Sequence, residues 1–214
     1  HLLHMINDTL DLARFESGHV ELEPRTLDLS ELVGAAQVLV QQAAEKRRIR
    51  IEVHLGLGAR AVIGDATRVK QILTNLLSNA VKYNVEGGSV IVASRMADEG
   101  RIALDVIDTG AGMNPQQVAQ LFQPFNRLGQ EGGPVEGTGI GLVISLRLAE
   151  LMGGTLHARS AVGMGSTFTL ELPRGAVAPA PRLADDDDDL VEPAAYRRRV
   201  IHYVEDNETN AEVM

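Results

Sequence analysis

The hydrophobic pattern alternates between a period of two residues and a period of three to four, and the changes mark out the elements. Leu2, Leu3, Met5, Ile6, Leu10, Leu12, Ala13 and Phe15 predict a helix over residues 1–17, with Gly18 as its stop. Val20 to Leu22 reads as a short strand. Asp28-Leu29-Ser30-Glu31 has the form of a capping box, Asp28 at the N-cap and Glu31 at N3, and predicts a helix to about Arg47. Alternation from Ile49 to Leu55 predicts a half-buried strand, and Ala61 to Ile63 a short one. Gly64-Asp65 caps a helix reaching about Tyr83. Ser89 to Arg95 and Arg101 to Ile107 form a hairpin turning at Asp98-Glu99-Gly100. Asn114-Pro115 opens a short helix by the N-cap and N1-proline rule. Gly139 to Met152 predicts a helix stopped by Gly153-Gly154, and Thr155 to Ser160 with Ser166 to Leu172 a closing hairpin.

The pattern breaks after Pro173. Gly175 to Pro181 is rich in Ala and Pro, and Asp185 to Asp189 is an unbroken acidic run, so this stretch reads as a solvated, self-repelling linker. Val200 to Val204 then begins an apolar strand that ends in Glu205-Asp206. The 214 residues suffice for one domain of about 150 residues plus extensions. Hydrophobic residues make up 44% and aromatics 3%, so the core is built from Leu, Val, Ile and Ala. Without cysteine there are no disulfides and no thiolate metal sites. A net charge of −9 argues against nucleic acid as a partner. No run of 18 apolar residues and no signal peptide is present. The chain opens on His1 and both ends read as cut, which leaves room for an anchor or sensor upstream.

Four short stretches carry the candidate chemistry. Asn75-Leu76-Leu77-Ser78-Asn79-Ala80-Val81-Lys82-Tyr83 puts two carboxamides on one helix face, four residues apart. Asp108-Thr109-Gly110-Ala111-Gly112-Met113 follows an apolar strand. Gly137-Thr138-Gly139-Ile140-Gly141-Leu142 precedes a helix, where bare N–H groups and the helix dipole favour phosphate. It is not a Walker A loop, since no Gly-Lys-Ser/Thr follows, nor a dinucleotide fingerprint. Gly163-Met164-Gly165-Ser166-Thr167-Phe168 either closes the far side of a site or is a simple hairpin turn. Taken singly, each stretch also fits a bland reading: a polar helix stripe, an Asp-Thr-Gly turn, a glycine-rich helix start.

In this order the four stretches resemble the N, G1, G2 and G3 boxes of the sensor histidine kinase ATP-binding domain. Its superfamily includes DNA gyrase, the heat-shock chaperone ATPase and the mismatch-repair MutL ATPase. The resemblance implies an α/β (α+β) two-layer sandwich of a mixed β-sheet with helices on one face, the Bergerat-type ATP-binding fold. It implies ATP and Mg²⁺ as cofactors. Asn79 would bind the metal and Asn75 support it, since Mg²⁺ prefers oxygen ligands. Lys82 would reach the phosphates and Tyr83 offer a ring to adenine. Asp108 would accept the adenine amino hydrogen, selecting ATP over GTP. Gly110 and Gly112 would adopt positive φ and, with Met113, line the base. Gly137, Thr138, Gly139, Ile140, Gly141 and Leu142 would hold phosphate, with Arg127 and Thr167 as further contacts. Gly129 to Glu136 would be a lid, and Phe122 and Phe125, in a stretch that resembles the family's F box, would anchor its base.

The same resemblance divides the chain. Residues 1–18 are similar to the second helix of a dimerisation and phosphoacceptor hairpin. Residues 19–173 form the catalytic domain, 174–196 the acidic linker, and 197–214 the start of a receiver domain with Glu205 and Asp206 as its acidic pair. Gyrase-like ATPases carry a water-activating Glu where this chain has Asn75, which cannot act as a base. No histidine of the sequence is followed by Glu or Asp, so the phosphoacceptor is expected to lie outside it and no catalytic residue is assigned. The function implied is the catalytic part of a hybrid two-component sensor kinase, passing the γ-phosphoryl group of Mg-ATP to histidine for relay to a receiver aspartate. Its partners would be the phosphoacceptor hairpin of the same or a partner subunit and a response-regulator receiver domain. The parent would be a homodimer working in the cytoplasm. A non-catalytic ATP-binding regulatory module, or a gyrase-like ATPase, are the alternatives.

Overall fold

The structure is a computed structural model that describes residues 21–126 and 138–176. The helix expected over 1–17, the lid, the linker beyond residue 176 and the receiver-like strand lie outside the described residues, as do Arg127, Gly137, Glu205 and Asp206.

Eleven elements follow the hydrophobic pattern closely. In chain order they are β1 (Arg25–Asp28), α1 (Leu29–Lys46), β2 (Arg50–Leu55), β3 (Ala61–Gly64), α2 (Ala66–Lys82), β4 (Ser89–Met96), β5 (Arg101–Asp108), α3 (Pro115–Ala119), α4 (Gly141–Leu151), β6 (Thr155–Ser160) and β7 (Ser166–Pro173). One expectation fails. Residues 21 and 22 carry no strand, and the first strand runs instead from Arg25 to Asp28. It pairs with β3 in a separate two-stranded sheet, a long-range partnership that fixes its place.

The main sheet has the order β2-β4-β5-β7-β6 and is antiparallel except at the β2–β4 edge. Strand period two sets its two faces. Ile102, Leu104 and Val106 of β5 and Phe168, Leu170 and Leu172 of β7 are buried on one face. On α2, Val69, Ile72, Leu73, Leu76, Leu77, Ala80 and Val81 repeat at the three-to-four spacing of a helix stripe and join the same core. α1 packs on α2 and β2, and α4 on α2, β6 and β7. The opposite face of β5 presents Asp105, which accepts from Thr169 Oγ1 at 2.6 Å and pairs with Arg95 at 3.0 Å.

Side-chain caps hold three of the four helices. Asp28 accepts from the N–H of Ser30, at N2 rather than the N3 position of the expected capping box. Asp65 accepts from Arg68, and Asn114 forms a full capping box with Gln117. The end of α1 is a Schellman turn: the Arg48 N–H donates to the Glu45 carbonyl and the Ile49 N–H to the Ala44 carbonyl. Its C′ residue is Arg48, at φ 55°, where glycine is usual. The left-handed conformation costs an L-residue roughly 1–2 kcal/mol. Arg48 also pairs with Glu86 at 2.6 Å, but both side chains are exposed, so that contact contributes little. Arg48→Gly is therefore expected to raise stability by about 0.5–1 kcal/mol once the greater freedom of glycine in the unfolded chain is deducted. Urea unfolding checks this, and a lowered midpoint would show that the Glu86 contact outweighs the strain.

Candidate nucleotide site

Asp108 is the last inward position of β5, in phase with Ile102, Leu104 and Val106, and is 6% exposed. Across the ladder it faces Ser166, the first inward position of β7. Its Oδ1 accepts the Gly110 N–H at 2.8 Å and the Ser166 N–H at 3.2 Å. Both bonds end on the same oxygen, and among the described residues Oδ2 has no hydrogen-bond partner. Burial pushes the carboxyl up from its ordinary value, against the pull of those two N–H groups.

The turn at 161–165 is a hairpin turn that also docks on the turn after Asp108. The Gly163 N–H donates to the Ala111 carbonyl at 2.7 Å, and the Ser160 hydroxyl accepts from the Met113 N–H at 2.9 Å and donates to the Gly165 carbonyl at 2.8 Å. Gly165, at φ 78°, lies so close that a Cβ there would sit 1.9 Å from the Asp108 carbonyl oxygen. Thr167 is the second residue of β7, half-buried and paired with Ile107. Gly112 has the expected positive φ, 66°. Gly110 does not, contrary to expectation. Its missing side chain serves a close approach instead, for a Cβ would lie 2.4 Å from the Tyr83 carbonyl oxygen.

The second cluster joins α2 to α4. The Asn75 Nδ2 donates to Ser145 Oγ at 3.0 Å, and Ser145 is 2% exposed. The Asn79 Nδ2 points at Asn75 Oδ1 at 3.5 Å, a long contact that leaves Asn79 Oδ1 without a partner among the described residues. A Cβ on Gly141 would fall 2.6 Å from Asn75 Oδ1, so the start of α4 lies directly against the asparagine pair. No side chain caps this helix. Thr138 Oγ1 accepts from the Ile140 N–H at 3.3 Å, Ile140 is buried, and Leu142 packs against the core. Gly139 takes φ 72° beside Phe125 and Asn126. The first N–H groups of α4 carry no side-chain cap, and the positive end of the helix dipole lies at this start, beside Asn75.

Lys82 and Tyr83 end α2, and the Lys82 Nζ lies 5.1 Å from the Tyr83 ring centroid. Phe122 packs against the core and Phe125 is 63% exposed; the lid whose base they were expected to anchor lies outside the described residues. Phe125 takes a positive φ, 63°, after Pro124. Sequence reading missed Ser145, Ser160, Arg47 and Asn84. The Asn84 side chain is buried, accepting from the Val85 N–H and Thr109 Oγ1 and donating to the Ser89 carbonyl. Ser166 was legible, being in phase with Phe168, Leu170 and Leu172. Among the described residues no cluster of three His, Asp or Glu side chains could hold a metal ion, and no helix is long and apolar enough to cross a membrane.

Residues 64–176 match the family of histidine kinase-, DNA gyrase B- and HSP90-like ATPases. The virulence sensor protein BvgS of Bordetella bronchiseptica is 39% identical over 176 residues, 80% of this chain and 14% of that protein. The sensor histidine kinase GacS of Pseudomonas protegens is 37% identical over 212 residues, 93% of this chain and 22% of that protein. The chain thus spans less than a quarter of either relative. Among solved structures, full-length ShkA in complex with AMPPNP superposes with a TM-score of 0.73 at 33% identity, covering 84% of this chain and 37% of that one. With a linked pair of asparagines beside an uncapped helix start and a buried carboxylate at a strand end, the chain belongs to this ATPase family, as an ATP-binding catalytic domain of the hybrid sensor histidine kinase type.

Proposed function

We propose that this domain binds Mg-ATP and donates its γ-phosphoryl group to a histidine that lies outside this sequence, for relay to a receiver aspartate. The observation that carries the reading is Asp108 Oδ2, a buried carboxylate oxygen without a partner among the described residues. A buried ionised oxygen is costly unless a donor meets it. The adenine 6-amino group is such a donor. Guanine carries an oxygen at the same place, and two acceptors repel. The Gly110 and Ser166 N–H groups hold the carboxylate in place.

The start of α4 would receive the phosphates, its N–H groups donating to the anion. Asn79 would hold Mg²⁺ through its unpartnered Oδ1, a neutral oxygen of the kind this ion accepts. Bound there, Mg²⁺ would neutralise phosphate charge. Lys82, at the same end of α2, would add a point charge, and Tyr83 would lie beside the base. Arg127, Gly137, Thr138, Gly139 and Thr167 complete the proposed contacts. Phosphoryl transfer needs chiefly positioning and charge neutralisation, which these residues supply. A hydrolytic ATPase would need a base for water. The Asn75 amide cannot serve, and its Nδ2 is already committed to Ser145. Residues 1–18 would belong to the phosphoacceptor hairpin of a homodimeric parent, and 197–214 to a receiver domain with Glu205 and Asp206 as its acidic pair. ShkA, solved with AMPPNP, supports the nucleotide assignment.

Asp108→Asn separates binding from folding. The amide keeps an oxygen for Gly110 and Ser166 but turns a donor toward the base. ATP affinity is expected to fall by about 1–3 kcal/mol, with ATP and GTP becoming nearly equivalent. Calorimetry with both nucleotides checks this, and equal affinity of the unaltered chain for ATP and GTP would sink the assignment. Stability without nucleotide should move the other way. The folded carboxyl has its pKa raised above 3.8, so its stabilising contribution is full below that value and is lost as pH rises through the folded pKa. At pH 7 Asp108→Asn should therefore unfold at higher urea than the parent, and the gain should vanish in acid below the ordinary carboxylate range. ATP affinity of the parent should weaken as pH falls through that raised pKa. Incubated with γ-labelled ATP, the 214-residue chain should remain unlabelled. Acid-labile label on His1 or His4 would place an acceptor in this sequence.

A further inference from the structure

Arg47 lies at the end of α1, a helix that supplies none of the proposed nucleotide contacts, yet both branches of its guanidinium reach the end of α2. It donates to the carbonyls of Val81, Lys82 and Asn84. The Arg47 carbonyl in turn accepts from the Gly87 N–H at 3.0 Å. One residue therefore ties down both ends of the segment 81–87. The last carbonyls of a helix lack intrahelical partners and form the negative end of its dipole. A planar cation with a fixed fork of donors suits them, and a lysine ammonium could not span three carbonyls in the same way.

The clamped segment is the surface against which the turn after Asp108 is built. The Tyr83 carbonyl fills the space that a side chain on Gly110 would need, and Gly110 is one of the two donors that hold Asp108. The Asn84 Oδ1 accepts from Thr109 Oγ1 at 3.1 Å, and Thr109 adjoins Asp108 directly. Thr109 Oγ1 also accepts from the Ser89 N–H at 2.9 Å. The route from guanidinium to carboxylate thus has two short arms. One runs through the Tyr83 carbonyl to Gly110, and the other through Asn84 to Thr109.

We infer that Arg47 and Asn84 are positioning residues for base recognition, setting the Gly110 and Thr109 backbone so that Asp108 Oδ2 stays aimed at the base. The inference rests on the proposed contact between Asp108 and adenine. The expected defect falls chiefly on the base: Asn75 meets α4 through Ser145 and Gly141, outside the clamped segment, and Lys82, which lies within it, would act on the phosphates as a point charge that tolerates small displacements.

The test uses the full 214-residue chain, well below its unfolding midpoint, with ATP, GTP and inorganic triphosphate as probes. Arg47→Lys keeps the charge and removes the fork. It is expected to lower ATP affinity roughly tenfold, as misplacement of a recognition group does, and to leave GTP and triphosphate within about twofold. Thr109→Val, close in volume and lacking the hydroxyl, should reproduce the loss, and Thr109→Ser should recover most of it. Thr109→Val carries the test if Arg47→Lys does not fold. A lowered unfolding midpoint with an unchanged ATP-to-GTP ratio in the folded variant would overturn the inference and make the clamp purely structural. So would equal losses for ATP and triphosphate. If the parent chain itself fails to prefer ATP over GTP, the Asp108 contact falls first, and that result is distinct from a parent that discriminates while its variants do so equally well.

Discussion

Asp108 occupies an inward-facing position of a central strand, and the period of two that buries Ile102, Leu104 and Val106 leaves it no other place. A carboxylate there is expensive, and the surrounding backbone is arranged around that cost. Ser166 stands opposite and donates its N–H. The turn after the strand doubles back so that the Gly110 N–H can do the same. Those two donors limit the penalty without removing it, since the pKa remains raised. The remaining cost is consistent with a carboxylate kept for a ligand, because a strand end selected for stability alone would carry an apolar or outward-facing residue at this position.

The glycine-rich turns follow from the same constraint. For the Ser166 N–H to reach Asp108, the backbone at 165 must run within contact of the Asp108 carbonyl, a separation that no side chain tolerates. At the other end of the site, α4 must begin against Asn75, and Gly141 makes that possible. α1, α2 and α3 spend a polar side chain on their first N–H groups, whereas α4 does not. Its start carries no side-chain cap and lies beside Asn75.

Much of this could be read from the sequence because local signals carried it. The α2 stripe, the aspartate and asparagine caps, the hairpin at 98–100 and the stop at Gly153 depend on residues within one or two turns of each other. Asp105 and Asp108 could be told apart by strand phase alone, one outward and one inward. The failures share the opposite property. β1 is a strand because β3 pairs with it, not because of its own alternation, so its position slipped from 20–22 to 25–28. Ser145 and Asn75 meet across 70 residues of chain, and Arg47 and Asn84 across 37, and neither pairing leaves a periodic trace.

The two clusters of the site differ in what holds them. The proposed base side is built from backbone: strand ladders, N–H donors and carbonyls in direct contact, with Arg47 and Asn84 behind them. On the proposed phosphate side, the described residues contribute the Asn75 to Ser145 bond at 3.0 Å and a long Asn79 to Asn75 contact, beside an uncapped helix. An aromatic base needs a fixed edge to be read, since one misplaced acceptor ends the discrimination. A phosphate chain is recognised through charge, which falls off slowly with distance and tolerates small displacements. In the proposed site, a fixed edge at the base and a charge-based hold on the phosphates would suit a nucleotide whose base stays in place while its terminal phosphoryl group is presented to another protein surface.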